Sequence, residues 1–125
     1  MLPLTMLQAK HSLAKSFKFA FEGLKVAILE GRNFRIQLFF AILAVILGVI
    51  YKISSADWLG IFLIVNLVLI LELINTSLES IVDLVSPEIH DKAKIAKDVA
   101  AAAVLIASVT SILIGIFIFL PKILH

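Results

Sequence analysis

Four polar side chains interrupt one of the most apolar parts of this sequence. They are the carboxylates and carboxamide of Glu72, Asn75, Glu79 and Asp83, spaced three or four residues apart among Leu, Ile, Val, Ser and Thr. At about 3.6 residues per turn, this spacing places all four on one face of a helix. A charge at the centre of a bilayer costs about 2.5–3.5 kcal/mol on insertion scales. These side chains should therefore face other helices, water or a bound cation.

A second polar group follows in the loop after this segment and at the start of the next apolar run. Lys97 could neutralise phosphate oxygens, while Glu79, Asp83, Glu88 and Asp98 are the hard oxygen ligands that suit Mg²⁺. Each residue also has a structural interpretation. A lysine at a helix end often anchors the helix at the membrane surface, and the four-residue stripe could serve only to join helices by hydrogen bonds. We assign that joining role to Asn66, which lies mid-span on a different face.

The composition indicates a membrane protein. The chain has 125 residues, of which 62% are hydrophobic, against roughly 45–50% in soluble domains. It contains no cysteine, so a disulfide framework and Cys-based metal or redox sites are excluded. The five glycines are scattered, which excludes the phosphate-binding loops of soluble kinases. We expect a single membrane-embedded domain over residues 1–125.

The hydropathy pattern predicts an all-α fold with one amphipathic surface helix and three membrane helices. Over about residues 10–30, apolar residues recur every three or four positions opposite a lysine-rich face, the pattern of a helix that lies on a membrane. Membrane helices are expected at about residues 34–53, 57–83 and 97–120. Lys and Arg are concentrated before the first span and between the second and third. The positive-inside rule therefore predicts a cytoplasmic N-terminus and an outer C-terminus.

Two segments carry a family resemblance. ELINTSLESIVDLVSPEIHDKAKIAKDVAAAAVL, from Glu72 to Leu105, resembles the signature region of the small prokaryotic integral-membrane lipid kinases. SFKFAFEGLKVAILEGRNFRIQ, from Ser16 to Gln37, resembles the surface helix of the same family. The family comprises diacylglycerol kinase and undecaprenol kinase. The resemblance implies transfer of the γ-phosphate of MgATP to the hydroxyl of either lipid. It further implies a homotrimer with sites shared between subunits. With the predicted topology, we expect the chain in the bacterial inner (cytoplasmic) membrane with its site at the cytoplasmic face.

The resemblance also implies a role for each site residue. Glu72 matches the catalytic base, and Glu79 matches a metal ligand that holds the cation of the nucleotide. Further nucleotide contacts fall on Phe19, Glu88, Ile89, His90, Lys97 and Asp98. Supporting or lipid-facing positions fall on Asn33, Arg35, Asn75 and Asp83.

The sequence departs from the family pattern near its N-terminus. The second metal-binding carboxylate would fall at Gly31, and the nearest acid is Glu30. One residue is about 100° of helix rotation, so Glu30 can serve as the second ligand only if the backbone at Gly31 leaves regular helix. Phe19 stands where a tyrosine is expected against the adenine, and Ser12 and Ile89 also differ from the usual residues. We expect these departures to affect the affinity for the nucleotide more than the chemical step.

Two other classes remain open at this point. In a non-catalytic membrane protein the acidic stripe would line an ion path. Against this, nothing polar lines the outer half of the second span, which precedes the stripe. In a purely structural protein it would serve helix assembly alone. Transfer of label from ATP into extracted lipid separates the kinase from both. The sequence favours undecaprenol as the acceptor lipid, because the segments INTSLE and KIAKDVAAAAVL look closer to the undecaprenol kinase branch of the family.

Overall fold

The structure, a computed structural model, describes residues 12–125, and these residues form four α-helices. They are α1 (Leu13–Glu30), α2 (Arg32–Ile50), α3 (Ser55–Val85) and α4 (Asp91–Ile123). The described part contains no strand, and α2, α3 and α4 are each long and apolar enough to cross a membrane. The predicted all-helical class is thus confirmed. Residues 10 and 11 of the predicted surface helix lie outside the described residues.

The helix ends follow local capping chemistry. The Ser12 hydroxyl accepts a hydrogen bond from the Lys15 N–H at the start of α1, and Ser54 does the same for Asp57 in α3. At the start of α4, Nδ1 of His90 accepts from the Lys92 N–H at 3.2 Å. Such caps satisfy amide groups that the first turn leaves free. The cap at His90 explains why α4 begins at Asp91, six residues before the predicted apolar span.

Gly31 separates α1 from α2 with an extended backbone, φ −92° and ψ 96°. A Cβ at this position would lie 2.5 Å from the backbone oxygen of Ala27, closer than a real contact allows. The Arg35 guanidinium holds the same corner, since its Nη1 donates to the carbonyl oxygens of Ile28 and Leu29, both at 2.9 Å. A cation is favourable beside these free carbonyls at the end of a helix. The regular helix is therefore interrupted at Gly31, which is the condition under which Glu30 could serve as the second metal ligand.

Helix α3 is the centre of the fold, packing most extensively against α4 and also against α2. An apolar cluster of Ile53, Ile61, Ile118 and Phe119 closes the end beside the α2–α3 turn. Trp58 packs over Gly48 in the same region, where a Cβ would lie 2.6 Å from the indole ring. At the opposite end of α3 the buried side chains are polar, Glu72 and Asn75. The fold thus separates an apolar half from a half that contains buried polar groups.

Candidate functional site

Glu72 is the most deeply buried charged residue in the described part of the chain, with 4% of its surface exposed. It lines a cavity of about 310 Å³ between α2, α3 and α4, together with Asn33, Ile36, Gln37, Ala101, Val104, Leu105 and Ser108. Its Oε2 atom is buried and has no hydrogen-bond partner. An unpaired buried carboxylate oxygen is costly. This oxygen is therefore available to a group that enters the cavity, such as a hydroxyl.

Asn75 connects the buried part of the stripe to its exposed part. Its Nδ2 donates to Oε1 of Glu79 at 3.2 Å, while its own Oδ1 is buried and unpartnered. Glu79 is exposed. The carboxamide thus orients one oxygen of Glu79 and leaves the rest of that carboxylate accessible from outside the bundle.

The antiparallel packing of α3 and α4 brings the two polar groups of the sequence to one end of the bundle. Lys97 of α4 donates to Oδ1 of Asp83 of α3, and Lys94 donates to Asp98 one turn further along α4. The Lys97 and Asp83 side chains are 40% and 64% exposed. The pair that joins the helices is therefore open to soluble molecules.

The short link between these helices carries three of the predicted nucleotide contacts. Glu88, Ile89 and His90 are all exposed, and Ile89 is fully so. The Ser86 hydroxyl donates to the carbonyl oxygen of Glu88 at 3.0 Å, which shapes the link. His90 has a structural function as the cap of α4, in addition to the role predicted for it.

The remaining predicted residues belong to the α1–α2 region. Asn33 lines the Glu72 cavity, in keeping with the supporting position assigned to it. Arg35 instead binds the end of α1, so the contacts in this structure give it a positioning function. Phe19 and Glu30 are exposed on α1. Within residues 12–125, no three His, Asp or Glu side chains gather into a metal-ligand set.

Two residues that the sequence analysis did not single out lie at the inner end of the cavity. Nε2 of Gln37 on α2 donates to Oγ of Ser108 on α4 at 2.9 Å. Both residues, with Ile36, also line an apolar groove of about 390 Å³ that continues between the same helices towards Phe119. A lone Gln within an apolar run was the available signal, since such a side chain needs a partner inside a membrane.

The arrangement combines a hydrocarbon-lined groove, a buried carboxylate and an exposed group of carboxylates and lysines, in that order along the bundle. A molecule with an apolar chain and a polar head could place the chain in the groove and the head beside Glu72. A soluble anion could approach Lys97 from the opposite direction. The geometry suits a reaction between a lipid and a charged, water-soluble molecule.

Comparison with known proteins agrees with this arrangement. Residues 18–119 match the family model described as prokaryotic diacylglycerol kinase. A Bacillus subtilis protein named undecaprenol kinase is 41% identical over 108 residues, which cover 86% of this chain and 88% of the relative. A Synechocystis protein named diacylglycerol kinase is 39% identical over 118 residues, 94% of this chain and 67% of the relative. An Escherichia coli diacylglycerol kinase is 29% identical over 101 residues, 81% of this chain and 83% of the relative. The chain therefore belongs to the prokaryotic diacylglycerol kinase family and is a lipid kinase with several membrane-spanning helices.

Proposed function

We propose that this chain transfers the γ-phosphate of MgATP to the hydroxyl of a membrane lipid, with Glu72 as the general base. The observation that carries the proposal is the unpartnered Oε2 of Glu72 inside a cavity that continues into an apolar groove. A lipid hydroxyl would supply the hydrogen-bond donor that this oxygen lacks.

The proposed step follows the usual course of phosphoryl transfer. The lipid oxygen forms a bond to the γ-phosphorus, the bond from that phosphorus to the β–γ bridging oxygen breaks, and ADP leaves. The hydroxyl proton passes to the carboxylate of Glu72. Asn75 supports this step because its amide holds Glu79 while its own unpartnered oxygen lies on the buried side of the stripe.

The nucleotide is proposed to bind at the end of the bundle where Glu79, Glu88, Lys97 and Asp98 lie. Lys97 is the cation that would contact phosphate oxygens, and to do so it would exchange Asp83 for the nucleotide. Phe19 on α1 offers a ring face for the adenine. Ile89 and His90 complete the contacts from the link between α3 and α4.

The residues fit a Mg²⁺ ion in part. Mg²⁺ usually takes one or two protein carboxylates and fills its remaining positions with substrate phosphates and water. Glu79 presents an exposed carboxylate oriented by Asn75, and we propose it as the first ligand. Glu30, beside the break at Gly31, is the second. The bound ion would neutralise charge on the β- and γ-phosphate oxygens.

We favour undecaprenol over diacylglycerol as the acceptor. Apart from Gln37, Ser108 and Ser111, the groove beyond the cavity is lined by apolar residues and glycine, which suits a polyprenyl chain and a fatty acyl chain alike. The two most similar relatives named above carry different acceptor names at nearly equal identity. The preference therefore rests on the sequence segments described earlier.

The proposed setting is the bacterial inner membrane, with the site at the cytoplasmic face and the chain assembled as a homotrimer. Arg32 at the start of α2 and the lysines at the start of α4 lie at the end of the bundle that carries the polar residues, in keeping with the positive-inside rule. At the cytoplasmic face, ATP would reach the site from the cytoplasm and the lipid would reach it from within the bilayer.

A side-by-side acceptor assay tests the proposal. The purified chain is incubated in mixed micelles with Mg²⁺ and ATP labelled at the γ-phosphate, with undecaprenol or with diacylglycerol, and the lipid is extracted. We expect labelled lipid with both acceptors and a higher kcat/KM with undecaprenol. Label in neither lipid, with folded protein, would refute the kinase proposal. A higher kcat/KM with diacylglycerol would refute only the acceptor preference.

A further inference from the structure

Gln37 and Ser108 form the one side-chain hydrogen bond between α2 and α4 within residues 12–125, with Nε2 of Gln37 donating to Oγ of Ser108 at 2.9 Å. The two helices pack mainly against α3 and little against each other. The contact therefore crosses a space that α3 leaves open between them. Both side chains are only partly buried, so a lipid bound in this space could reach them.

The pair lies at the junction between the cavity that contains Glu72 and the apolar groove. Gln37, Ser108 and Ile36 are the residues that line both spaces. On α4 the wall of the cavity runs from Ala101 to Ser108, which is about 10 Å of helix. A lipid with its hydroxyl at Glu72 and its chain in the groove would pass this junction. The pair would thus contact the part of the lipid that directly follows the hydroxyl.

The pair keeps hydrogen-bond donors that no group in the described part of the chain uses. A carboxamide and a hydroxyl together carry three polar hydrogens, and the bond between Gln37 and Ser108 uses one of them. The other two lie beside hydrocarbon, where an unmade hydrogen bond is costly because water is scarce. They suit a ligand group that can only accept a hydrogen bond, such as an ester carbonyl.

The two candidate lipids differ at this level of the molecule. Diacylglycerol has two ester groups within a few bonds of its hydroxyl, before the acyl chains begin. Undecaprenol has only hydrocarbon there, which accepts no hydrogen bond.

We propose that Gln37 and Ser108 bind the ester carbonyls of acyl lipids and thereby determine how well this chain uses diacylglycerol. The inference rests on the proposed function and adds a specificity-determining contact to it. Undecaprenol would pass the pair with the bond between Gln37 and Ser108 intact and gain nothing from the free donors. The contact would therefore act on acyl lipids alone.

An ether lipid tests the contact from the side of the substrate. A dialkylglycerol with chains of equal length keeps the glycerol, the hydroxyl and both chains of diacylglycerol but lacks its two carbonyl oxygens. In mixed micelles with Mg²⁺ and labelled ATP, the unchanged chain should show a kcat/KM about two- to tenfold higher with the ester lipid, the range for an ordinary hydrogen bond. Equal kcat/KM values for the two lipids would overturn the proposal, and this comparison does not depend on the folding of any variant.

Variants then test the two residues. Gln37→Leu and Ser108→Ala should each bring the ester-to-ether ratio of kcat/KM towards one, while Ser108→Thr, which keeps the hydroxyl, should preserve it. Ser111→Ala is the matched control, because Ser111 lines the same groove but its hydroxyl already donates to the Ser108 carbonyl oxygen at 2.7 Å. The ratio should therefore stay unchanged in Ser111→Ala. Equal losses with both lipids in Gln37→Leu and Ser108→Ala would show that the pair acts only through structure and would reject the ester contact.

Binding without ATP keeps the two proposals distinct. It is measured as the concentration of radiolabelled ester or ether lipid that half-saturates the purified chain in detergent. A chain that binds the ester lipid more tightly but phosphorylates no lipid would refute the kinase proposal alone. A chain that binds and phosphorylates both lipids equally well would refute the ester contact alone.

Discussion

Lys97 of α4 donates a hydrogen bond to the carboxylate of Asp83 of α3, and this ion pair joins the two helices at the end where the polar residues collect. It connects two segments that are fourteen residues apart in the sequence. Both side chains remain substantially exposed. The pair therefore holds the predicted phosphate-binding lysine in place while leaving it accessible.

The first prediction separates binding from stability at this pair. Lys97→Gln should raise the KM for ATP at least about tenfold, because it removes a charged hydrogen bond to the phosphate oxygens. It should leave the melting temperature nearly unchanged, as expected for an exposed pair. Asp83→Asn removes the same ion pair but keeps the cation and is the control. A KM for ATP that rises equally in both variants would show that the pair acts only through structure.

The second prediction concerns the buried carboxylate. Glu72→Gln keeps the shape of the side chain but removes the proton acceptor, so kcat should fall by about 10²–10⁴-fold. ATP binding, measured by calorimetry, should be little changed because Glu72 lies in the lipid-side cavity. Glu22→Gln on exposed α1 is the control and should keep full turnover. Retention of turnover in Glu72→Gln would require another route for the hydroxyl proton.

The third prediction addresses the second metal ligand. Glu79→Gln and Glu30→Gln should each raise the Mg²⁺ concentration needed for half-maximal activity, because each removes a proposed ligand. A Mg²⁺ titration at fixed ATP measures this. A normal Mg²⁺ requirement in Glu30→Gln would reduce the protein ligands to Glu79 alone. The glycine beside Glu30 does not offer a simple gain of function, since Gly31→Glu would press a Cβ onto the Ala27 carbonyl oxygen.

The fourth prediction separates the two functions of His90. His90→Ala should lose both the α4 cap, at a cost of about 0.5–2 kcal/mol, and the proposed nucleotide contact. His90→Asn keeps a side-chain oxygen that can cap the helix, so it should retain near-normal thermal stability while the KM for ATP still rises. Normal ATP affinity in His90→Asn would limit the residue to capping.

The fifth prediction tests the packing that closes the apolar end. Gly48→Ala should destabilise the fold by about 1–3 kcal/mol, because its Cβ would lie 2.6 Å from the Trp58 ring and 3.0 Å from Ile53. Gly115→Ala is the matched control, since no atom lies within 4 Å of its added Cβ. Thermal unfolding in detergent compares the two. Equal stability of both variants would mean that the Trp58 ring moves aside at no cost.

The sequence was sufficient to predict the four helices and the segregation of polar residues. The membrane helices can be predicted from the apolar runs because bilayer thickness fixes the length that such a run must have. The start of α4 was missed because residues 91–96 include three charged side chains, and hydropathy does not detect a helical turn of this kind that continues a span. The helix-capping side chain of His90 was the signal for it.

Other features depend on tertiary contacts that leave no local pattern. The hydrogen bond from Gln37 to Ser108 joins residues 71 positions apart, and neither residue type identifies its partner. The binding of Arg35 to the end of α1 depends on the corner at Gly31, where Ala27 and Phe34 leave no room for a Cβ. The role of Glu72 as the base came from the family resemblance, while residue chemistry already indicated Glu79 as a metal ligand and Lys97 as a phosphate contact. All three roles stay predictions until the variants are measured.

The apolar cluster around Ile61 and Phe119 also affects whether protons could cross the membrane through this protein. Glu72 is eleven residues from Ile61, so about 16 Å of helix separates the carboxylate from this cluster. A bacterium stores energy as a difference in proton concentration and voltage across its membrane, and a buried acid with water on both sides would discharge it. The cluster of Ile53, Ile61, Ile118 and Phe119 has no side-chain group that could carry a proton. This cluster should therefore give a proton no path from Glu72 to the far side of the membrane.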